Sequence, residues 1–323
     1  MARKPSKDRV NKLADVAEMY YLEGLTQSKI AKKMGVTRST ISRMITEAHK
    51  EGIVKIKIQR KFSYNKKLQS EMTQEFDLLD AVIYNGQPES AERYLTHLGA
   101  VGALALKPYL KDDIVLGTAW GTTLNATINA LEMDSPLHNI KIVQLVGALG
   151  EKSLDIDGHE LVHDLVDKLG GEGYYLNTPY IVDSPETVEA LMSVQSVCET
   201  MELMKECDVG LFGIGSLKLD YSTFFNAGYL VLDEMKGLAV HGAVGNVCGL
   251  FFDIQGESTA REFQQRSLTI SKKDLVSIPT RIGIAGGSGK IDAILGALRG
   301  KYINILVTDD NTAREVLRTI KNN

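Results

Sequence analysis

The stretch TQSKIAKKMGVTRSTISRMIT, residues 26–46, holds two short helical patterns that are separated by a single glycine, Gly35. Its apolar side chains recur at the spacing of two packed helices, at Ile30, Met34, Val36, Ile41 and Met44. Ala31 offers a small side chain where the helices would cross, and glycine at position 35 tolerates the positive φ of a sharp turn. The spacing therefore predicts a helix-turn-helix, a motif whose second helix enters the major groove of DNA.

Polar side chains occupy the parts of this motif that would face a DNA duplex. Thr37 can cap the second helix, and the residues after it fill the first turns, where base edges would be met. With two residues from the start of the first helix, the predicted DNA-contacting set is Gln27, Ser28, Thr37, Arg38, Ser39, Thr40, Ser42 and Arg43.

The charge of the chain is divided between its front and its remainder. Residues 1–66 contain 16 lysines and arginines and 6 acidic residues, a net charge of +10, whereas the rest contains 21 and 35, a net charge of −14. A short amphipathic helix pair could equally be an ordinary satellite of a larger domain. Because the basic residues coincide with the helix pair, the sequence favours binding to double-stranded DNA.

Length and composition predict two domains of an ordinary globular protein. The chain has 323 residues, of which 44% are hydrophobic, and is too long for one small core. No run approaches 18 uninterrupted apolar residues, and no apolar segment follows the charged N-terminus, so we expect a cytoplasmic protein. The cysteines Cys198, Cys207 and Cys248 are odd in number and lack C-x-x-C spacing. We therefore expect buried thiols, with neither a metal nor a cofactor.

The segments around the motif suggest how the chain is organised. Residues 11–22 predict a first helix, which makes the head three-helical. The alternating segment GIVKIKIQR, residues 52–60, predicts a half-exposed strand that is either a wing or the linker. Residues 66–76 predict an amphipathic helix that either pairs subunits or simply packs. We expect a helix-turn-helix domain over 1–60, a linker helix over 61–78, and a domain for ligand binding and oligomerisation over 79–323.

Beyond residue 80 the chain alternates apolar strands with helical stretches, which is typical of an α/β domain with a parallel sheet. The predicted strands are AVIY, DIVLGT, KIVQLVG, YYLN, VGLFGIG, RIGIAGG and INILVT. Three of them end in glycine-bearing turns, GTAWGTT at 117–123, GIGSL at 213–217 and AGGSGK at 285–290. Because the carboxyl ends of parallel strands share one edge, these turns could converge on one ligand.

Two of the turns carry groups that attract an anion. Thr122 and Thr123 open a helix, and Ser288 and Lys290 follow the last turn. Glycines at strand ends also serve tight turns without any ligand, so each turn alone leaves both interpretations open. The nucleotide motifs fail: Ile284 and Ile291 stand where a P-loop needs Gly and Ser or Thr, and Lys218 replaces the third glycine of G-x-G-x-x-G.

The order of several motifs resembles the SorC/DeoR-type sugar-responsive bacterial transcription regulators over nearly the whole chain. The motifs are the head, W-G-T-T, V-Q-L-V-G, A-V-G-N-V-C-G-L-F-F-D, A-G-G-S-G-K and A-L-R-G-K-Y-I-N-I-L-V-T-D. The resemblance implies a Rossmann-like sugar-binding domain similar to sugar-phosphate isomerases and deaminases, and an oligomer, usually a tetramer. It also implies a phosphorylated sugar or polyol as effector.

The resemblance assigns an effector site residue by residue. Some relatives have a cationic residue where this chain has Val146, which excludes a Schiff base there, and Asn246 replaces the family's usual carboxylate. The residues themselves add Ser288, a hydroxyl donor, and His159, which could line the same edge, although a lone histidine is more often structural. The expected effector-binding residues are therefore Gly121, Thr122, Thr123, Val146, Gly147, His159, Asn246, Gly286, Gly287, Ser288 and Lys290. The leading hypothesis is a regulator of a carbohydrate operon. The alternatives are a sugar-phosphate isomerase or deaminase with a DNA-binding head, and an assembly adaptor without sequence-specific DNA binding.

Overall fold

The computed structural model describes residues 7–54, 61–86, 90–149, 156–226, 228, 230 and 232–321. The chain divides into two compact units, Met1–Lys61 and Phe62–Asn323. The first is three-helical, and the second is built on a seven-stranded sheet.

The first unit is the predicted helix-turn-helix, with helices α1 Lys7–Tyr21, α2 Gln27–Met34 and α3 Arg38–Lys50. The side chain of Thr26 caps α2 by accepting a hydrogen bond from the N–H of Lys29, and Thr37 caps α3 in the same way through Thr40. Gly35 ends α2 with φ of 64°, and its N–H donates to the carbonyl of Ala31. Capping and turn chemistry therefore fix both helices where the sequence predicts them.

The core of this unit is formed by all three helices. Its buried residues are Leu13, Val16, Ala17, Met19, Ile30, Ala31, Ile41, Met44, Ile45 and Ala48. The assignment of Val36 to the packed face is wrong, since this side chain is 40% exposed. Val36 lies in the turn, where its N–H donates to the carbonyl of Ala31, so turn geometry rather than helical periodicity sets its direction.

The predicted strand at residues 52–60 falls largely on residues 55–60, which lie outside the described residues. Its described beginning is not a strand. Ile53 and Val54 donate their N–H groups to the carbonyl of Ala48 at 2.9 and 3.1 Å, so they complete the end of α3.

The second unit contains the predicted parallel sheet. Its strands are β1 Asp80–Tyr84, β2 Val115–Thr118, β3 Lys141–Gln144, β4 Glu172–Tyr174, β5 Val209–Gly213, β9 Thr280–Ile284 and β10 Ile305–Asp309. The strand order is β1-β10-β9-β5-β2-β3-β4, and every pair is parallel. The central strands are buried on both faces, which is why they read as continuous apolar runs.

Helices connect these strands. The described ones are α4 Lys66–Phe76, α5 Ala91–Leu106, α6 Thr122–Ala130, α7 Gly158–Leu169, α8 Pro185–Met192, α9 Gln195–Met204, α10 Thr223–Asn226, α11 Leu232–Val240, α12 Arg261–Gln264, α13 Lys272–Ser277, α14 Ile291–Arg299 and α15 Asp310–Lys321. Helix α4 has the predicted bounds, because Asn65 caps it and Leu68 and Met72 are buried along one face. Among the described helices none is long and apolar enough to cross a membrane.

A small antiparallel sheet was absent from the sequence prediction. Its strands are β6 Gly215–Ser216, β7 Gly245–Val247 and β8 Leu250–Phe252. Cys248 and Gly249, with φ of 52° and 72°, make the two-residue turn between β7 and β8. A cysteine rarely takes such a backbone conformation. The sequence here therefore lacks the Asn-Gly or Asp-Gly pair that usually predicts a β-hairpin.

Two smaller predictions are wrong. The predicted strand YYLN, residues 174–177, begins where the real strand β4 ends, because only residues 172–174 pair with β3. Cys207 and Cys248 are buried as expected, but Cys198 is exposed. It lies on α9, whose packed face is formed by its neighbours Val197 and Thr200.

Candidate functional site

A cavity of about 670 Å³ lies in the second unit at the carboxyl ends of the central strands. The turns that follow β2, β5 and β9 all contribute to its wall. Eight of the eleven predicted effector-binding residues line it: Gly121, Thr122, Thr123, Asn246, Gly286, Gly287, Ser288 and Lys290. A parallel sheet brings these distant turns together because all of its strands end at the same edge.

The N-terminus of α6 forms one part of the wall. Gly121 precedes the helix with φ of 137°, a backbone conformation that favours glycine, and no side chain caps the helix there. Thr122 is exposed and Thr123 is half-buried. Both are the first residues of α6 and line the cavity, so their hydroxyl groups lie in the same turn as the first N–H groups of the helix. Such N–H groups lack partners within the helix and lie at its positive end, which suits an anion.

The glycine turn after β9 is held by a buried carboxylate. Asp309 accepts hydrogen bonds from the hydroxyl groups of Tyr94 and Thr312, and Thr312 accepts one from the N–H of Gly287 at 2.8 Å. Burial, together with the neighbouring charge of Asp309, raises the pKa of the Tyr94 hydroxyl, which therefore remains a donor. A Cβ atom at Gly286 would lie 2.0 Å from the Tyr94 hydroxyl oxygen, so glycine is required there.

Lys290 brings a partly buried positive charge to the cavity wall. Its ammonium donates to the carbonyl of Ile214 at 2.7 Å and to that of Tyr221 at 3.4 Å. Burial lowers the pKa of Lys290 to about 8, so the group is still mostly protonated at pH 7. Among the described residues it forms no ion pair, so no carboxylate neutralises this partly buried cation.

Asn246 lies on β7 opposite Gly215 of β6. Its side chain is 7% exposed and lines the cavity, and within the described part of the chain its amide has no hydrogen-bond partner. A Cβ atom at Gly215 would lie 2.4 Å from the amide nitrogen, so this glycine makes room for the asparagine. The amide therefore offers a donor and an acceptor to a molecule bound in the cavity.

Further cavity residues were not identified from the sequence. They include Ser90, Tyr94, Trp120, Asp220, Tyr221 and Phe224. Trp120 lies inside the W-G-T-T motif, where its position beside Gly121 could have signalled it, and its ring packs edge-on against Phe224 at 4.7 Å. No local pattern marks Tyr94, Tyr221 or Phe224, because they reach the cavity through tertiary packing.

Three predicted effector-binding residues are not among those lining the cavity. Val146 is fully buried and pairs with Thr269, and a Cβ atom at Gly147 would lie 2.6 Å from the carbonyl oxygen of Pro179. His159 stacks on Tyr175 with ring centroids 4.3 Å apart. The chain after β3 is thus committed to packing, and the structure does not bring these three residues to the other eight.

The predicted DNA-contacting residues lie on α2, on α3 and in the cap before α3. Ser28, Arg38, Ser39, Ser42 and Arg43 are exposed, whereas Gln27 and Thr40 are half-buried. Thr37 is exposed, but its hydroxyl is engaged in the cap, 3.2 Å from the N–H of Thr40 and 2.8 Å from the Thr40 hydroxyl. Arg38 and Arg43 form no ion pair with any described residue, so both guanidinium groups are available to a duplex.

Comparisons with known proteins match both units. A family model described as "Putative sugar-binding domain" matches residues 60–318, and one described as "Sigma-70, region 4" matches residues 13–51. The chain is 29% identical over 314 residues to the Sorbitol operon regulator of Klebsiella pneumoniae, covering 97% of this chain and 99% of that protein. It is 28% identical over 308 residues to the Deoxyribonucleoside regulator of Bacillus subtilis, covering 95% and 97%.

A solved structure agrees with these relatives. The full-length sorbitol operon regulator SorC from Klebsiella pneumoniae superposes with a TM-score of 0.73 at 29% identity, covering 96% of this chain and all of that one. The relatives are transcriptional regulators and not enzymes, which removes the isomerase or deaminase alternative.

Proposed function

The chain belongs to the SorC/DeoR family of sugar-binding transcriptional regulators, and from that premise we propose that it controls a carbohydrate-utilisation operon in response to a phosphorylated sugar or polyol. The head would bind double-stranded operator DNA, and the cavity at the edge of the sheet would bind the effector. Two relatives are named for sorbitol and for deoxyribonucleosides, so the family responds to more than one metabolite.

The observation that carries the proposal is the meeting of three anion-attracting groups in one cavity. The N-terminus of α6 brings free N–H groups with the hydroxyl groups of Thr122 and Thr123, and Lys290 adds a full positive charge. A helix N-terminus with a nearby cation is a common phosphate site in proteins. The phosphate of an anionic effector would accept hydrogen bonds from the N-terminus of α6, and Lys290 would attract the effector's negative charge.

The remaining cavity lining suits a polyhydroxylated molecule. Ser288, Asn246 and Asp220 offer hydrogen-bond donors and acceptors, and Trp120 and Phe224 offer ring faces. Sugars present both hydroxyl groups and an apolar C–H face, so this mixture fits them. We propose that Gly121, Thr122, Thr123, Asn246, Gly286, Gly287, Ser288 and Lys290 contact the effector.

Effector binding would change operator binding by shifting the population of conformations of a homo-oligomer, a dimer or a tetramer. A homo-oligomer presents several heads, which match repeated half-sites in DNA. A useful coupling between the two ligands is on the order of 1–3 kcal/mol, which corresponds to a change in affinity of roughly 5- to 150-fold.

The test begins with a thermal-melting screen of the full chain against sugars and polyols in phosphorylated and free form. A ligand that binds the folded state raises the melting temperature, so phosphorylated compounds should stand out. The operator is selected from random duplexes by repeated binding, and its affinity is then measured with and without the ligands that raise the melting temperature.

The matched variants are Lys290→Met, which removes the positive charge of the cavity wall, and Lys111→Met, which removes an exposed positive charge outside the cavity. Lys290→Met should abolish the effector response and retain DNA binding, and Lys111→Met should change neither. If no phosphorylated compound shifts both the melting temperature and operator affinity, or if Lys290→Met responds like the parent protein, the proposal is wrong.

A further inference from the structure

Lys290 and Asn246 meet at one short stretch of backbone between β5 and β6. The ammonium of Lys290 is held by the carbonyl of Ile214, and the amide of Asn246 packs over the next residue, Gly215. Both side chains line the cavity. A cation and an uncharged amide therefore share one part of the wall, which we call the Lys290–Asn246 corner.

No carboxylate of the described chain neutralises this corner. Asp220 also lines the cavity, but it is exposed and forms no ion pair with Lys290. The carboxylate of Asp309 is fully buried, and its oxygens accept hydrogen bonds from Tyr94, Thr312 and the N–H of Asn311. The partly buried ammonium is therefore held by carbonyl oxygens and by no carboxylate, so an acidic group on the ligand would stabilise its charge.

The donors at the corner match a group with two acceptor oxygens. Lys290 has three N–H donors and uses two on carbonyl groups, which leaves one. The amide nitrogen of Asn246 adds donors, and its carboxamide carries no charge that would repel an anion. A planar carboxylate can accept one hydrogen bond from each side chain.

The N-terminus of α6 offers a different set of donors. It follows β2, the neighbour of β5 in the sheet, and presents backbone N–H groups together with the hydroxyl groups of Thr122 and Thr123. Several N–H and O–H groups at a helix N-terminus suit the three terminal oxygens of a phosphate. The cavity thus contains one wall suited to a phosphate and one corner suited to a carboxylate.

We propose that the effector is a phosphorylated sugar acid, whose phosphate binds at the N-terminus of α6 and whose carboxylate binds between Lys290 and Asn246. The proposal rests on the proposed function, because it specifies the ligand of the same cavity. Asn246 is the specificity-determining residue, since an aspartate of the same shape would neutralise Lys290 and repel the acid.

The experiment compares matched ligands that differ only at the end remote from the phosphate. Gluconate 6-phosphate is paired with glucitol 6-phosphate, ribonate 5-phosphate with ribitol 5-phosphate, and erythronate 4-phosphate with erythritol 4-phosphate. Affinities are measured by titration calorimetry on the full-length protein. For at least one pair the acid should bind tenfold or more tightly than the alcohol.

The deciding variant is Asn246→Asp, with Asn129→Asp as a control that adds the same charge on α6 outside the cavity. Asn246→Asp should lower the affinity for the acid at least tenfold more than the affinity for the alcohol, whereas Asn129→Asp should leave the preference for the acid intact. Asn246→Ser, which adds no charge, should retain a preference for the acid, and melting curves confirm that each variant folds.

Four results would overturn the inference. Equal affinity within each pair would show that no carboxylate site exists. Equal weakening of acid and alcohol by Asn246→Asp would show that the corner contacts the phosphate itself. If other phosphorylated sugars bind and change operator affinity but none of the acids does, the inference fails and the proposed function stands. If no phosphorylated compound of any kind binds, both fail.

Discussion

At the scale of single residues, Gly286 links the glycine turn to the buried carboxylate beneath it. The turn must pass close to Tyr94 and Asp309, and a Cβ atom would lie 2.0 Å from the hydroxyl oxygen of the first and 2.8 Å from Oδ2 of the second. Because Gly287 next to it donates to Thr312, any displacement of Gly286 moves a cavity-lining backbone.

We therefore expect Gly286→Ala to destabilise the protein by about 1–3 kcal/mol, since overpacking forces neighbouring groups apart. It should also weaken effector binding. The matched control is Gly237→Ala on α11, where an added Cβ atom meets nothing within 4 Å. That change should stabilise the helix by about 0.5–1 kcal/mol. Urea unfolding and effector titration measure both effects, and wild-type stability in Gly286→Ala would contradict the account of the turn.

The proposed contact between Lys290 and an anionic effector predicts a pH dependence of effector affinity, whose sign follows from the lowered pKa of the lysine. The pKa of this ammonium in the free protein is about 8, lowered because burial disfavours the charged form. An anionic effector binds the protonated lysine, so affinity should be highest near pH 7. Above pH 8 it should fall by up to about tenfold per pH unit, since each unit lowers the protonated fraction by that factor.

Titrating the effector from pH 7 to pH 9.5 measures this prediction. Lys290→Arg keeps a positive charge throughout that range, so its binding, where retained, should change little with pH. A wild-type affinity that stays constant to pH 9.5 would show that Lys290 does not contact the anionic group.

At the scale of the element, α3 carries the groups available to a DNA duplex. Arg38 and Arg43 are exposed without ion pairs, whereas Arg9 on α1 is tied to Glu47 of α3. If either α3 arginine donates two hydrogen bonds to a guanine, its substitution by alanine should reduce the binding free energy by about 1–3 kcal/mol and relax specificity at that one operator position.

Competition binding against single-base operator variants tests this prediction. Arg38→Ala and Arg43→Ala are compared with Lys12→Ala, which removes an exposed charge on α1. A base contact relaxes specificity at one position, and Lys12→Ala should leave specificity unchanged. An equal loss on operator and random DNA would show that the arginine contacts phosphates instead.

Thr37 tests the capping account of α3 without removing a charge. Its side chain accepts a hydrogen bond from the N–H of Thr40, so Thr37→Ala should destabilise the head by about 0.5–2 kcal/mol. Thr37→Ser keeps the capping oxygen and should be nearly neutral. Thermal unfolding of the two variants tests whether the Thr37 side chain caps α3. Equal stability of Thr37→Ala and the parent protein would contradict this capping role.

Elements that are determined by capping residues, glycine turns or apolar runs could be predicted from the sequence. Gly35 and Thr37 fix the turn and the start of α3, and buried apolar runs predict the parallel strands. The hairpin of β7 and β8 could not, because its turn places Cys248 at positive φ in place of the usual Asn or Asp.

The same distinction applies to the cavity. Its glycine turns were predictable because the ends of parallel strands share one edge of the sheet. Tyr94 and Phe224 come from helices whose approach depends on long-range packing, and His159 is drawn into a stack with Tyr175 that no spacing reveals. Residues that act through tertiary contacts are therefore the part that sequence patterns miss.

At the scale of the whole molecule, the chain combines a basic head with an acidic sheet domain. The front carries a net charge of +10 and the remainder −14, so long-range attraction to DNA is confined to the front. Operator affinity should therefore fall steeply with salt, in proportion to the phosphates that the head neutralises. Effector binding by the partly buried groups of the cavity should depend on salt much less.

A regulator of this kind must couple two binding equilibria in one chain, and the coupling must be reciprocal. If the effector changes operator affinity by some factor, the operator must change effector affinity by the same factor. We expect this factor to lie between roughly 5 and 150. Calorimetric titration of the effector, with and without saturating operator duplex, measures one arm, and operator binding with and without saturating effector measures the other.

Two variants separate effector binding from operator binding. Lys290→Met should remove effector binding and retain operator binding, because its change is confined to the cavity wall. Arg38→Ala should retain effector affinity in the DNA-free protein and lower the affinity for operator DNA. A factor clearly different from 1 in the parent protein, equal in both titrations as linkage requires, shows that the two sites are coupled. If effector affinity is unchanged by saturating operator, the two sites are independent and the protein does not regulate through this cavity.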